Sequence, residues 1–151
     1  FYSLGMTSKF TIQQVAEATG LSIHALRYYE KVGLLAPIKR ASNGHRRYSA
    51  EDIVWLEFLV RLRETGMPIQ KVQAFADLVR QHPDQVSQRR VLLENHREQV
   101  KQHLEELTNH LQVIDLKISH YKHLETTGES DHNCIFWKHY LENALDDQVN
   151  E

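Results

Sequence analysis

Two groups of cationic and aromatic side chains lie close together in the first third of the sequence. The first group is His24, Arg27 and Tyr28, within one predicted helix. The second group surrounds the dipeptide Asn43-Gly44 and comprises Lys39, Arg40, His45, Arg46 and Arg47. Guanidinium and phenol groups donate hydrogen bonds to phosphate oxygens, and arginine also recognises guanine edges. These residue types therefore predict contact with double-stranded DNA.

The first group needs a helix that is open to solvent. Thr11-Ile12-Gln13-Gln14 has the pattern of a capping box, and Gly20 ends this first predicted helix. Ser22 caps a second helix that runs to about Val32, with Gly33 as its stop. Two short helices joined around Gly20 indicate a helix-turn-helix, in which the second helix enters the major groove. The DNA contacts expected from this helix are Ser22, His24, Arg27 and Tyr28, whereas Leu26 and Tyr29 are expected in the core.

The second group needs a β-hairpin. Pro37 blocks further helix, and Asn43-Gly44 favours a tight type I′ turn between strands over 37–41 and 45–48. Five potential cations in nine residues exceed what protection of a sheet edge requires, so contact with phosphates or the minor groove is favoured. Strand alternation places Arg46 and Tyr48 on one face and His45 and Arg47 on the other. At least one arginine is therefore expected to pack structurally.

Three further helices follow the hairpin. The third opens at Ser49-Ala50-Glu51-Asp52 and ends before Gly66, and the fourth opens at Met67-Pro68-Ile69. His82-Pro83 marks the clearest boundary, beyond which 84–127 contains neither proline nor glycine. Its apolar residues alternate gaps of four and three, the period of a coiled coil: Val100, Leu104, Leu107, Leu111, Ile114, Ile118 and Tyr121. We call this narrow apolar stripe the seam. It favours a homodimer whose helices are antiparallel or parallel, and the alternative is a helix packed on its own domain.

Composition describes an ordinary soluble chain of 151 residues with a single cysteine, which fits a reducing cytoplasm. No window approaches the apolar length of a membrane helix, and residues 1–5 have the character of an expression remnant before Met6. The net charge of −2 conceals an asymmetry. Residues 1–80 carry a net +4 and residues 81–151 a net −6. A positive first half suits a domain that binds a polyanion.

Several motifs together resemble the MerR family of bacterial transcription regulators. They are the Leu26-Arg27-Tyr28-Tyr29-Glu30 run, the Gly33-Leu34-Leu35 end, the Arg40…Asn43-Gly44…Arg46…Tyr48 hairpin and Gly66-Met67-Pro68-Ile69. The resemblance implies a mainly α fold: a winged helix-turn-helix, a long antiparallel coiled-coil helix and a short C-terminal helix. It implies a homodimer that binds a pseudo-palindromic promoter, distorts its DNA in response to an effector, and so acts on RNA polymerase indirectly.

By position, the resemblance assigns DNA contact to Arg27 and Tyr28 in the helix, to Arg40, Arg46 and Tyr48 in the wing, and to Lys71 in a second wing. His45 departs from the family, which usually has tyrosine there. The expected domains are the DNA-binding domain at 9–82, the dimerisation helix at 84–127 and an effector or docking segment at 128–151. No cofactor is required, and the sequence does not identify the effector.

The C-terminal half contains residues that could bind a metal ion or react as a thiol. His96, His103 and His110 repeat every seven residues, about 10 Å apart along a helix, too far to share a metal, and are expected to cover the seam. A tighter set, with nitrogen and thiolate ligands suited to zinc, is His120, His123, His132, Cys134 and His139; surface histidines are the alternative. Cys134 is either a sensor thiol or a small apolar filler, and filler is favoured.

No Ser/His/Asp arrangement, phosphate-binding glycine loop or carboxylate pair stands out, so no enzymatic activity is expected. The favoured interpretation is a cytoplasmic, dimeric transcription regulator bound to promoter DNA. The alternative is a coiled-coil interaction or adaptor protein whose helix-turn-helix binds protein.

Overall fold

The computed structural model describes residues 10–128, which are mainly helical with one small hairpin. The elements in chain order are α1 (Ile12–Thr19), α2 (Ile23–Lys31), β1 (Lys39–Arg40), β2 (Arg46–Arg47), α3 (Ala50–Glu64), α4 (Ile69–Gln81) and α5 (Val86–Thr127). The predicted winged helix-turn-helix followed by a long helix is confirmed. The predicted C-terminal helix, with His132, Cys134 and His139, lies outside the described residues, as do residues 1–5.

Local side-chain chemistry fixes the helix ends where the sequence placed them. The Thr11 hydroxyl accepts from the Gln14 amide, and the Gln14 side chain accepts from the Thr11 amide, which completes the predicted capping box. Gly20 follows α1 with φ 72°, a left-handed conformation that strongly favours glycine. The Ser22 hydroxyl accepts from the Ala25 amide at 3.0 Å and starts α2. The helix-turn-helix therefore forms from short-range signals.

The wing has a different turn from the one predicted. β1 and β2 are antiparallel, with Lys39 opposite Arg47 and Arg40 opposite Arg46. Among residues 10–128 only glycines have positive φ, so Asn43 cannot occupy a type I′ turn. Instead, the Gly44 amide donates to the Ala41 carbonyl at 2.9 Å, and Gly44 has φ 80°. The connection is a three-residue loop with a left-handed glycine, and the type I′ prediction is wrong.

The core joins the helix-turn-helix to α3 and α4. Its most completely buried side chains are Val15, Leu26, Leu34, Leu35, Tyr48, Leu56, Leu59, Met67 and Val72. Trp55 stacks on Phe75 with ring centroids 5.8 Å apart, and its Nε1 donates to the Leu34 carbonyl at 2.8 Å. That hydrogen bond ties α3 to the loop that follows α2. The apolar face of α3 thus supports the element that carries Arg27.

The chain divides into two compact units, and the first extends through Val100, beyond the boundary at 82 that the sequence favoured. Leu92 and Leu93, near the start of α5, pack against the core of this unit, which explains the extension. In the second unit, the predicted seam residues of α5 are all between 46% and 62% exposed: Leu104, Leu107, Leu111, Ile114, Ile118 and Tyr121. Val100 is half-buried in the first unit. No helix within the described range is long and apolar enough to span a membrane.

Candidate nucleic-acid interface

Helix α2 separates its core residues from its exposed ones by helical period. Leu26 and Tyr29 are buried, whereas His24, Arg27 and Tyr28 are exposed, Tyr28 to 44%. The Tyr28 and Tyr29 rings lie 6.3 Å apart, so the buried ring contacts the exposed one. Burial of Leu26 and Tyr29 therefore turns the Arg27 and Tyr28 side chains outward, as a groove-binding helix requires.

The wing presents Lys39, Arg40 and His45 to solvent, and Arg47 is half-buried. The Arg40 Nη1 donates to the Gly44 carbonyl at 3.0 Å, which holds the guanidinium across the hairpin loop. The Asn43 side chain accepts from the His45 amide at 3.1 Å. These bonds order the tip around its cations without burying them.

Arg46 does not project from the wing as its assignment to DNA contact required. Its Nε lies 2.5 Å from Glu30 Oε2, and the two side chains are 24% and 19% exposed. The pair joins the wing to α2. Strand alternation had placed Arg46 on the face of Tyr48 and indicated that at least one arginine packs structurally; both points are confirmed.

Tyr48 is a correction to the predicted set of DNA contacts. It is 0% exposed and lies in the core, and its backbone pairs with Phe10 through two hydrogen bonds of 3.0 and 2.9 Å. A side chain with no accessible surface cannot touch DNA, so Tyr48 stabilises the wing by packing in the core. Its hydroxyl is buried without a hydrogen-bond partner among the described residues.

The pKa shifts of the two buried tyrosines identify the charged side chains that lie near them. Burial raises the pKa of Tyr29 above its ordinary 10.0, and the positive charge of Arg63 opposes that rise. Burial likewise raises the pKa of Tyr48; the charge of Glu30 adds to the effect, whereas Arg46 and Arg27 oppose it. Both phenols are neutral at physiological pH, so they do not cancel the positive charges of Arg27, Arg46 and Arg63.

The turn between α3 and α4 contributes a further cationic edge. Lys71, predicted for a second wing, is exposed in the first turn of α4. Arg63 was missed by the sequence reasoning: its Nη1 donates to the Met67 carbonyl at 2.6 Å, and its charge acts on Tyr29 in α2. The available signal was an arginine three residues before Gly66-Met67. The structure thus brings the α3–α4 turn close to α2.

Charge across residues 22–48 favours a polyanion. This stretch contains six lysines and arginines against the single carboxylate of Glu30, which is already paired with Arg46. Ser22 is exposed, but its hydroxyl is used as the helix cap. The candidate interface therefore groups cations on α2, the wing and the start of α4, of which Arg47 is half-buried and the others are exposed: Arg27, Lys39, Arg40, Arg47 and Lys71. His24, Tyr28 and His45 are further exposed side chains on the same elements that can form hydrogen bonds.

The histidines divide differently from the prediction. His96 does not cover the seam: it is 8% exposed, and its Nε2 lies 2.8 Å from Thr65 Oγ1. His103 and His110 are exposed. Within residues 10–128, no cluster of three or more His, Cys, Asp or Glu side chains is arranged to hold a metal ion. Of the zinc candidates only His120 and His123 fall in that range.

Comparison with known proteins gives a consistent result. Residues 10–78 match the family described as MerR HTH family regulatory protein, and residues 53–115 match the one described as MerR, DNA binding. An HTH-type transcriptional regulator of Haemophilus influenzae is 33% identical over 119 residues, which are 79% of this chain and 88% of the relative. The regulator AdhR of Bacillus subtilis is 40% identical over 82 residues, 54% of this chain and 59% of AdhR.

Two solved structures are similar over most of their length. HiNmlR, a MerR family regulator lacking the sensor domain and bound to promoter DNA, superposes with a TM-score of 0.71 at 32% identity, covering 80% of this chain and 95% of HiNmlR. A MerR family transcriptional regulator from Bacillus thuringiensis superposes with a TM-score of 0.66 at 34% identity, covering 74% and 98% of the two chains.

Proposed function

This chain belongs to the MerR family of transcription regulators, and we propose that it binds a pseudo-palindromic bacterial promoter as an antiparallel homodimer and regulates transcription by distorting that DNA. The observation that carries this proposal is the exposed cationic face of α2, the wing and the start of α4. A helix with outward Arg27 and Tyr28 fits the major groove, and the flanking cations lie where phosphates pass.

The dimer is supported by the exposed seam of α5. Apolar side chains at a 3.5-residue period form a stripe too narrow for packing within a globular domain but suited to one partner helix. A two-fold dimer presents two DNA-binding units to two half-sites, which is why the proposed operator is pseudo-palindromic. Distortion of the DNA between the half-sites would act on RNA polymerase through the promoter.

The proposal needs no cofactor and no catalytic activity. Bacterial promoters lie in the cytoplasm, so the protein would act there. A small effector would regulate transcription by binding one arrangement of the promoter-bound dimer more tightly than the other. The segment 128–151 remains our proposed effector or docking segment.

Duplex binding measured against salt concentration tests the proposal against the adaptor alternative. A regulator that neutralises several phosphates loses affinity with a log–log slope of about −0.9 for each phosphate, whereas an adaptor that binds protein shows no such binding. Arg27→Ala should weaken binding by about 1–3 kcal/mol if Arg27 makes a good base or phosphate contact. Lys122→Ala, which removes an exposed cation from α5 outside the seam, is the matched control. Equal affinity of both variants and the unmodified chain would remove Arg27 from the interface.

A further inference from the structure

His96 makes a polar contact that its heptad spacing does not predict. It lies in α5, yet it is almost fully buried, and its Nε2 is 2.8 Å from the Thr65 Oγ1 at the C-terminal end of α3. The two residues are 31 positions apart in sequence. The contact therefore joins the start of the predicted dimer helix directly to the turn between α3 and α4.

Donor and acceptor roles in this contact follow from the hydroxyl of Thr65. The Thr65 hydroxyl can donate its single proton to the Arg61 carbonyl at 2.8 Å or to the Leu62 carbonyl at 3.2 Å; with either acceptor, Oγ1 accepts from an imidazole that carries its hydrogen on Nε2. In that tautomer the other ring nitrogen, Nδ1, is an acceptor. That Nδ1 is buried and has no hydrogen-bond partner within residues 10–128. A buried, unpaired acceptor lowers stability, so the imidazole is a poorer filler than an apolar side chain. What it adds is a directional bond to Thr65.

The turn that receives this bond is closed by two backbone hydrogen bonds. The Gly66 amide donates to the Arg63 carbonyl at 3.0 Å, and the Met67 amide donates to the Leu62 carbonyl at 2.9 Å. With Gly66 at φ 92°, these bonds form the Schellman pattern that closes a helix. The Arg63 guanidinium is bonded to the Met67 carbonyl, and Lys71 follows within one turn of α4. Thr65 therefore belongs to the same hydrogen-bonded turn as Arg63, and Lys71 lies in the helical turn that follows it.

We propose that the hydrogen bond between Thr65 and His96 is a positioning contact that sets the half-site spacing at which the dimer binds. This inference rests on the proposed function, because spacing has a meaning only for two DNA-binding units joined by α5. His96 acts through Thr65 and the α3–α4 turn and does not touch DNA itself.

The geometry of DNA gives the scale of the effect. One added base pair moves a half-site by about 3.4 Å along the helix axis, or roughly 1.7 Å for each unit of a symmetric dimer. A hydrogen bond of 2.8 Å does not survive an extension of that size. If the helix-turn-helix, the wing and the α3–α4 turn follow their half-site by shifting against the start of α5, the bond is broken. The intact bond therefore favours one spacing over its neighbours.

The experiment measures affinity for duplexes whose two half-sites are separated in one-base-pair steps. Thr65→Val and His96→Leu remove the bond while filling the space. Thr65→Ser and His96→Gln keep a hydroxyl and a side-chain donor at the same number of bonds from the backbone. His103→Gln is the matched control, because His103 is exposed one heptad later on α5. Thermal unfolding of every variant reports the structural contribution separately.

We expect the unmodified chain, the His103→Gln control and the two conservative variants to share one preferred spacing. Thr65→Val and His96→Leu should reduce the preference over the neighbouring spacings by about fivefold, the factor that one net hydrogen bond contributes. A uniform loss of affinity at all spacings, or an unchanged profile, would overturn the positioning role and leave the proposed function standing. An unmodified chain that binds half-sites without any spacing preference would overturn both.

Discussion

Neighbouring arginines on β2 should behave oppositely when each is replaced by alanine. Arg46 is paired with Glu30, and both side chains are less than one quarter exposed. Arg47, the next residue, faces the other side of the strand. Arg46→Ala should therefore lower the free energy of unfolding, whereas Arg47→Ala should alter DNA binding.

The structure sets the size of each effect. A hydrogen bond to a charged group contributes about 1.5–3 kcal/mol, and the partial exposure of this pair reduces its contribution to about 1–2 kcal/mol. Loss of Arg46 also leaves the Glu30 carboxylate largely buried without its partner. By contrast, loss of one phosphate contact per unit at Arg47 should make the salt slope of a dimer shallower by about 1.8.

Urea unfolding and duplex titration at several salt concentrations measure the two effects. Glu30→Ala should destabilise as Arg46→Ala does, and the double variant should cost less than the sum of the two single variants. If Arg46→Ala is fully stable and loses salt dependence while Arg47→Ala retains it, the assignment of the two side chains is reversed and the reasoning fails.

Two further predictions concern the seam and the buried phenol. Leu107→Glu combined with Leu111→Glu should abolish dimers in sedimentation, because each carboxylate would be buried in an apolar seam, whereas Gln112→Glu, beside the seam, should leave them intact; a dimer that survives the double change would show that the seam is not the interface. Tyr48→Phe should leave stability at pH 7 unchanged or raise it by up to about 1 kcal/mol, because the buried hydroxyl has no partner in the described part of the chain. Since the folded pKa of Tyr48 is raised, its contribution to the free energy of unfolding is fully present below pH 10 and is lost as the pH rises above it. The Phe variant should therefore lose less stability than the unmodified chain above pH 10. A clear loss of stability in the Phe variant at pH 7 would show that the hydroxyl is hydrogen-bonded.

Features set by neighbouring residues could be predicted from the sequence. Thr11 with Gln14, and Ser22 with the amide of Ala25, are contacts within one helical turn, so their residue types determine them. The separation of Arg27 from Leu26 on α2 follows from helical period in the same way. The turn type was missed because Asn43-Gly44 is compatible with more than one loop length, and the strand register decides between them.

Side-chain partners that are distant in sequence could not be predicted. Arg46 finds Glu30 across 16 residues, and His96 finds Thr65 across 31, because the hairpin folds onto α2 and the start of α5 folds onto α3. Heptad periodicity placed His96 beside the seam, although its true environment is set by Leu92 and Leu93 packing on the core. A one-dimensional period describes a face of a helix but does not say which neighbour covers that face.

The arginines of the candidate interface are of two kinds, and the division has an energetic consequence. Arg40 and Arg63 donate to backbone carbonyls of their own loops, and Arg46 is fixed by Glu30. Arginine otherwise loses up to about 2 kcal/mol of side-chain conformational freedom when it is immobilised. In the wing and the α3–α4 turn, part of that loss has already occurred on folding, and spare guanidinium donors remain on Arg40 and Arg63. Under the proposed function, these ordered arginines would keep the loops in shape, so that Arg27, the half-buried Arg47 and Lys71 would meet the DNA from fixed positions.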